Sequence, residues 1–206
     1  MSTYFNISLR REDPDRYDQN REINTLIQKN FKDSVSKFLE NPYPVYDYAG
    51  EDDFNREWNS PKNKDIPYSS STLGESGCAV YVFHQGLRYR KGSIPSIEQL
   101  AQILAENGYY EPGKGTWHCL FDHWGLRRAS NIKEIFDTLD IKELPLITIL
   151  VSNQLYPVSK SGAGSHFVNI VGVTQNGFLI DDPNKENRLF LEFERVLPSV
   201  QVAWLW

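Results

Sequence analysis

Apolar residues at Ile23, Leu26, Ile27, Phe31, Val35, Phe38 and Leu39 recur at the three–four spacing of one helix face. They predict a long amphipathic helix from about Pro14 to Glu40, ended by Asn41-Pro42 and preceded by a short strand at Thr3–Leu9. From Asn41 to Ser71 the periodicity disappears into Pro, Asn, Asp and Tyr, which reads as a long loop of the functional kind. An apolar run then opens at Cys78 and predicts a helix ending near Gly86. Ser96 to Asn107 reads as the next helix, with Pro95 before it and Gly108 as its stop. Thr116 to Trp124 reads as a short helix closed by Gly125, and Asn131 caps another, where Glu134 completes a capping-box pattern. Beyond Leu144 the pattern changes to strands at Leu146–Val151, His166–Val173, Gly177–Asp181, Arg188–Phe193 and Val200–Trp206. The chain carries no internal repeat and no low-complexity tract.

Helices first and strands afterwards imply an α+β fold, with N-terminal helices packed on a C-terminal antiparallel sheet. Thr174-Gln175-Asn176-Gly177 joins two of the strands, and Asn-Gly is a strong hairpin signal. Such a hairpin returns the end of Gly177–Asp181 beside the start of His166–Val173, so an acid meets His166. Two acids compete for that place. If Phe178 and Ile180 face one side and Leu179 the other, Asp182 continues the Phe178–Ile180 side and Asp181 the opposite one. A length of 206 residues suits one domain, with residues 1–50 as a helical extension and 51–206 as the core.

Composition removes several function classes. With 40% hydrophobic and 13% aromatic residues the chain is globular rather than disordered. A net charge of −5 and a pI near 5.4 argue against nucleic acid or an anionic membrane as the main partner. No apolar run approaches the roughly 20 residues of a membrane span, and the first residues lack a signal-peptide pattern. Two cysteines, Cys78 and Cys119, do not make a disulfide framework. A reducing, cytoplasmic setting is therefore expected, with signal-less export as the alternative. No cofactor is expected either. Gly113-Lys114-Gly115-Thr116 lacks the full phosphate-loop spacing and reads as a turn and helix cap. His118 and Asp122 are four apart, but Cys119 and His123 would face another side and no second ligand cluster exists. That segment reads as a packed helix with Trp117, Leu120, Phe121 and Trp124 as its core face, not as a metal site. His84 reads as structural, and Glu51-Asp52-Asp53 as a solvated loop.

The chemistry concentrates at Cys78. A small, polar, Gly-punctuated loop, Ser70 to Gly77, leads into it. In the first turn of a helix, unpaired backbone N–H groups and the positive dipole end favour a thiolate. A lone cysteine there is usually a small core residue, and His166 alone would be an ordinary strand-end histidine. In combination with Asp182 the order Cys, His, Asp is that of a thiol nucleophile, its base and an orienting acid. It points to a cysteine peptidase or amidase.

The same residues carry a family resemblance. Trp58, Pro67-Tyr68-Ser69-Ser70-Ser71-Thr72-Leu73-Gly74-Glu75-Ser76-Gly77-Cys78, Gly115-Thr116-Trp117, Pro145-Leu146-Ile147-Thr148-Ile149, Gly164 to Gly172 and Asp181-Asp182-Pro183 occur in family order. In these stretches the chain resembles the papain-like superfamily, and most the bacteriocin-processing (double-glycine) cysteine peptidases and their stand-alone relatives, cysteine peptidase family 39. The resemblance implies a papain-like fold and a peptide or protein substrate. It also implies Cys78 as nucleophile, His166 as general base and Asp182, by the Asp-Pro placement, as the acid that orients the imidazole. Two departures stand out. Ala79 replaces the Gly that commonly follows the nucleophile, and the oxyanion-hole Gln about six positions upstream is Thr72 here. Stand-alone relatives often carry the Gln a few residues before a Trp; before Trp58 this chain has Asp53, Asn55, Arg56 and Glu57, of which Asn55 offers an amide donor. Thr72 and Asn55 are therefore the oxyanion candidates. The missing Gln also favours an alternative, a silent peptide-binding module, and an acyl or amide transferase would use the same triad.

Overall fold

The computed structural model describes residues 63–91, 95–141, 146–158, 164–185 and 189–206. The strand expected at Thr3–Leu9, the helix expected from Pro14 to Glu40, and Asn55 lie outside these residues. Six strands form one antiparallel sheet: β5 (Arg127–Arg128), β6 (Ile147–Ser152), β7 (Ser165–Val173), β8 (Gly177–Asp181), β9 (Leu189–Glu192) and β10 (Val200–Leu205). Their spatial order is β5-β10-β6-β7-β8-β9. Two small hairpins, β1 (Pro67–Tyr68) with β2 (Ser71–Thr72) and β3 (Tyr110–Glu111) with β4 (Gly115–Thr116), stand apart from it. The fold is α+β.

Helices cover both faces of the sheet, whereas the sequence suggested one layer on another. On one face lie α1 (Leu73–Ser76), α2 (Cys78–Lys91), α3 (Ile97–Glu106) and α4 (Cys119–His123). Their core includes Val82, Phe83, Leu100, Leu104 and Phe121, packed with Phe167, Val202 and Trp204 of the sheet. The other face carries α5 (Ile132–Ile141) and α6 (Phe193–Val196), where Ile135, Phe136 and Leu139 pack on Val168, Ile170, Phe178 and Ile180. β6 and β7 are thus buried on both faces, which is why their sequences read as nearly continuous apolar runs.

Local chemistry accounts for the helix ends. Ser96 caps α3 through a capping box with Gln99. Asn131 accepts the Glu134 N–H before α5, while the Glu134 carboxylate reaches Ser130 N–H rather than that of the cap. Three boundaries differ from expectation. The residues expected to start a helix at Thr116 instead form β4, and α4 begins at Cys119. Phe193 leaves the strand expected over Arg188–Phe193 to open α6. The loop expected as far as Ser71 contains the β1–β2 hairpin.

Gly86 marks a further difference, because α2 continues through it to Lys91. A Cβ at Gly86 would lie 2.0 Å from the Trp206 ring, so the glycine serves close packing and does not stop the helix. Gly86→Ala should therefore destabilise the protein. The helix-propensity gain of about 1 kcal/mol is outweighed by an overpacking cost of about 1–3 kcal/mol or more. A thermal melt in which the Ala variant is as stable as the parent would contradict this packing.

The β7–β8 hairpin decides the site. Val173 pairs with Phe178 and Gly172 with Leu179, but Ile170 pairs with Ile180 and Asn169 with Asp181. Val171 is thus one extra residue on β7, a bulge. Without it, the same turn would set Asp182 opposite Asn169 and Asp181 opposite Ile170. With it, Asp182 follows into line with Val168, on the face shared by Val168, Ile170, Phe178 and Ile180. His166 alternates onto that face, diagonal to Asp182, at a spacing of about 7–8 Å that an imidazole can bridge. Asn169 and Asp181 turn to the opposite face, toward α2.

Candidate active site

α2 and β7 meet through a chain of buried polar groups. Trp206 Nε1 donates to Thr148 Oγ1 (2.8 Å), which donates to Asn169 Oδ1 (2.6 Å). Asn169 Nδ2 donates to Gln85 Oε1 (2.5 Å) and to the Val82 carbonyl (3.1 Å). Gln85 Nε2 completes the chain by donating to Asp181 Oδ2 at 2.6 Å. Leaving any one of these groups unpaired would cost about 1–3 kcal/mol, so the ladder resists sliding of the helix along the strand. Its pitch sets the height of Cys78. From Val82 back to Cys78 is one helical turn, about 6 Å. From Asn169 back to Phe167 is two strand residues, about 6.6 Å. The match brings the Cys78 sulfur to the backbone N–H of Phe167, beside His166.

Cys78 opens α2 and is half-buried. Burial alone would raise its pKa, but hydrogen bonding and charge from His166, with the N–H groups of Phe167 and Ala79, outweigh it and hold the thiol below its usual range. His166 is 7% exposed at its side chain. Burial disfavours the imidazolium there, yet hydrogen bonds to Asp182 and Cys78 raise its pKa above the ordinary histidine value. Its Nε2 lies 2.7 Å from Asp182 Oδ1, which leaves Nδ1 for the sulfur. Asp182 is buried and also accepts the Asn184 backbone N–H at 2.8 Å. Burial works against its charge, but His166 and the Asn184 N–H keep its carboxyl below the usual carboxylate range. The Asn184 side-chain amide sits 3.3 Å from His166 Nε2.

Cys78, His166 and Asp182 are therefore together, while Asp181 is engaged by Gln85 on the other face. Thr72 occupies the cap position of α1 in extended conformation, its hydroxyl making no cap bond. Of the residues read as a packed helix, Leu120 and Phe121 are buried in α4. Asp122 accepts from Trp204 Nε1 (3.0 Å) and forms a bidentate pair with Arg128. Burial pushes the pKa of His118 down to about 4, so it is neutral at physiological pH. His84 Nε2 meets the Pro95 carbonyl at 3.2 Å. Among the described residues no group of three or more His, Cys, Asp or Glu side chains is arranged to hold a metal ion. No described helix is long and apolar enough to cross a membrane.

Sequence reading missed the polar ladder and Tyr156. Asn169 and Thr148 were visible as single polar residues inside apolar strands, a pattern that marks a buried hydrogen-bonded pair. Tyr156 stands in an irregular segment and carried no such signal.

No protein-family model matches the sequence, and no curated protein does. Among solved structures, it is similar to the peptidase domain of ComA from Streptococcus, a bifunctional ABC transporter involved in a quorum-sensing pathway. The identity is 20%, over 62% of this chain and 88% of that one, with a TM-score of 0.45.

Proposed function

We propose that this protein is a papain-like cysteine peptidase or amide hydrolase acting on a peptide or protein through a Cys78–His166–Asp182 triad. The observation that supports the reading most is His166, hydrogen-bonded to Cys78 on one side and to Asp182 on the other. In the resting state the sulfur is a thiolate and the imidazole carries the proton. The thiolate attacks the scissile carbonyl, and a C–S bond forms as the carbonyl electrons move onto oxygen. His166 then gives its proton to the departing amine as the C–N bond breaks, leaving a thioester. Water adds to the thioester, losing a proton to His166, and expulsion of the thiolate restores the resting pair. Asp182 stabilises the imidazolium throughout and holds the ring in orientation.

The oxyanion is assigned to the backbone N–H of Cys78 together with the Thr72 hydroxyl or the Asn55 amide. Removing one such donor typically costs about 10²–10³ in rate. Incubation with a mixed peptide library, read by mass spectrometry, should give new termini with the parent protein and none with Cys78→Ser. A parent protein that retains peptides without cutting them would replace this reading by the silent binding module.

A further inference from the structure

We propose that Tyr156 is a positioning residue of this site: its hydroxyl donates to the Asp182 carboxylate and thereby sets how tightly His166 holds its proton. The inference rests on the proposed triad for its functional meaning, but its physical content can be measured without turnover. Tyr156 belongs to the segment after β6 and is 3% exposed. Its ring centroid is 6.2 Å from that of His166, tilted by 50°. Its hydroxyl is the one fully buried side-chain polar atom, among the described residues, without a hydrogen-bond partner at normal geometry. A buried hydroxyl left unpaired is destabilising, so an acceptor within reach would be expected to take it.

The acceptor it faces is Asp182. Burial, followed by the charge of Asp182, pushes the phenol pKa upward, so the hydroxyl keeps its proton and can only be the donor towards a carboxylate. The carboxylate already takes His166 Nε2 and the Asn184 N–H. A further donor spreads its negative charge and weakens its hold on the imidazolium. Among the described residues, the other titratable groups that interact around the pair are Cys78 from α2 and, beyond it, Tyr68 from β1, whose phenol is raised by burial and by the Cys78 charge. Neither belongs to the element that carries Tyr156, so a change confined to the phenol oxygen isolates the Asp182 contact.

The chain has four histidines, which makes the His166 ring resolvable by NMR titration. Tyr156→Phe keeps the ring and removes only the hydroxyl. Its His166 midpoint should move up by roughly half a pH unit, about a threefold gain in proton affinity. In an Asp182→Asn background the same change should move the midpoint by much less, because the effect passes through the carboxylate. An unchanged midpoint in Tyr156→Phe together with a higher melting temperature would mean that the hydroxyl is an unpaired buried group, and would overturn the proposal. So would an equal shift in the Asp182→Asn background. Absence of peptide cleavage by the parent protein would count against the peptidase reading alone and leave this titration to be judged on its own.

Discussion

Iodoacetamide at about pH 6 should alkylate Cys78 roughly tenfold faster than Cys119, and His166→Ala should remove most of that difference. An ordinary thiol with a pKa of about 8.5 is thiolate in only about one molecule in 300 at that pH, whereas a sulfur paired with His166 as proposed should be largely ionised. The thiolate population therefore favours Cys78 by about two orders of magnitude. Intrinsic nucleophilicity falls as the pKa falls, which takes back roughly one of them. Without the imidazolium, burial is left to push the Cys78 thiol up, and labelling should retreat to above about pH 8. Equal rates for the two cysteines at pH 6, or a His166→Ala variant that labels like the parent, would remove the ion pair from the account.

The same shifts fix the direction of the pH dependence. Cys78 and Asp182 are depressed in the folded state, so their stabilising contribution is present above their unfolded values and is lost as pH falls through the folded ones. His166 is raised, so its contribution is complete below its unfolded value and is lost as pH rises through the folded one. The competent thiolate–imidazolium pair exists between the two folded values. Activity should be bell-shaped, with the alkaline limb well above the ordinary histidine pKa of about 6.5.

Asp182→Asn should lower turnover by about 10³–10⁴, while Asp181→Asn should leave it within a few-fold of the parent. The two residues are neighbours, yet their environments differ. Asp182 is an acceptor for His166 Nε2, and its charge keeps the imidazolium protonated. An amide there loses that charge and can present its N–H₂ to the ring, disturbing the tautomer, as when a triad acid is neutralised. Asp181 accepts from Gln85 in the ladder under α2. An asparagine oxygen can still accept that hydrogen bond, so the expected loss is in stability, about 1 kcal/mol, the difference between a charged and a neutral acceptor. Turnover on a peptide selected from the library distinguishes the two. If Asp181→Asn gave the larger loss, the assignment of the acid would be reversed.

Single residues explain how far the amino-acid order reaches. The capped helix after Ser96, the strand bounds Gly177 and Asp181, and the Cys–His–acid order follow from local rules of capping, alternation and turn chemistry. The end of α2 did not, because Gly86 is a stop signal only when nothing distant needs its missing Cβ. Trp206, 120 positions later, needs it. Similarly, Asn176-Gly177 marked the hairpin, but the glycine is required because a Cβ there would lie 2.3 Å from the Leu191 carbonyl of β9. Thr148, Asn169 and Gln85 announced only that polar groups were buried. They lie on three different elements, β6, β7 and α2, and no periodicity links them.

The residues themselves determined that a hairpin would bring His166 to one of two adjacent acids, because turn chemistry and strand alternation are local. Which acid it meets was settled in three dimensions. Alternation along β8 separates Asp181 from Asp182, but it does not say which side of β7 His166 shares. That depends on the single extra residue at Val171, which shifts the pairing by one and exchanges the faces. The bulge is stable only because both faces of β7 are already packed: Val168 and Ile170 lie on the α5 side, and Asn169 is held in the polar ladder on the α2 side. A register slip would leave the Asn169 amide buried without its partners and break the packing of Val168 and Ile170 under α5 at once. The energy of that double penalty resides in the assembled layers and in no segment of the chain taken alone.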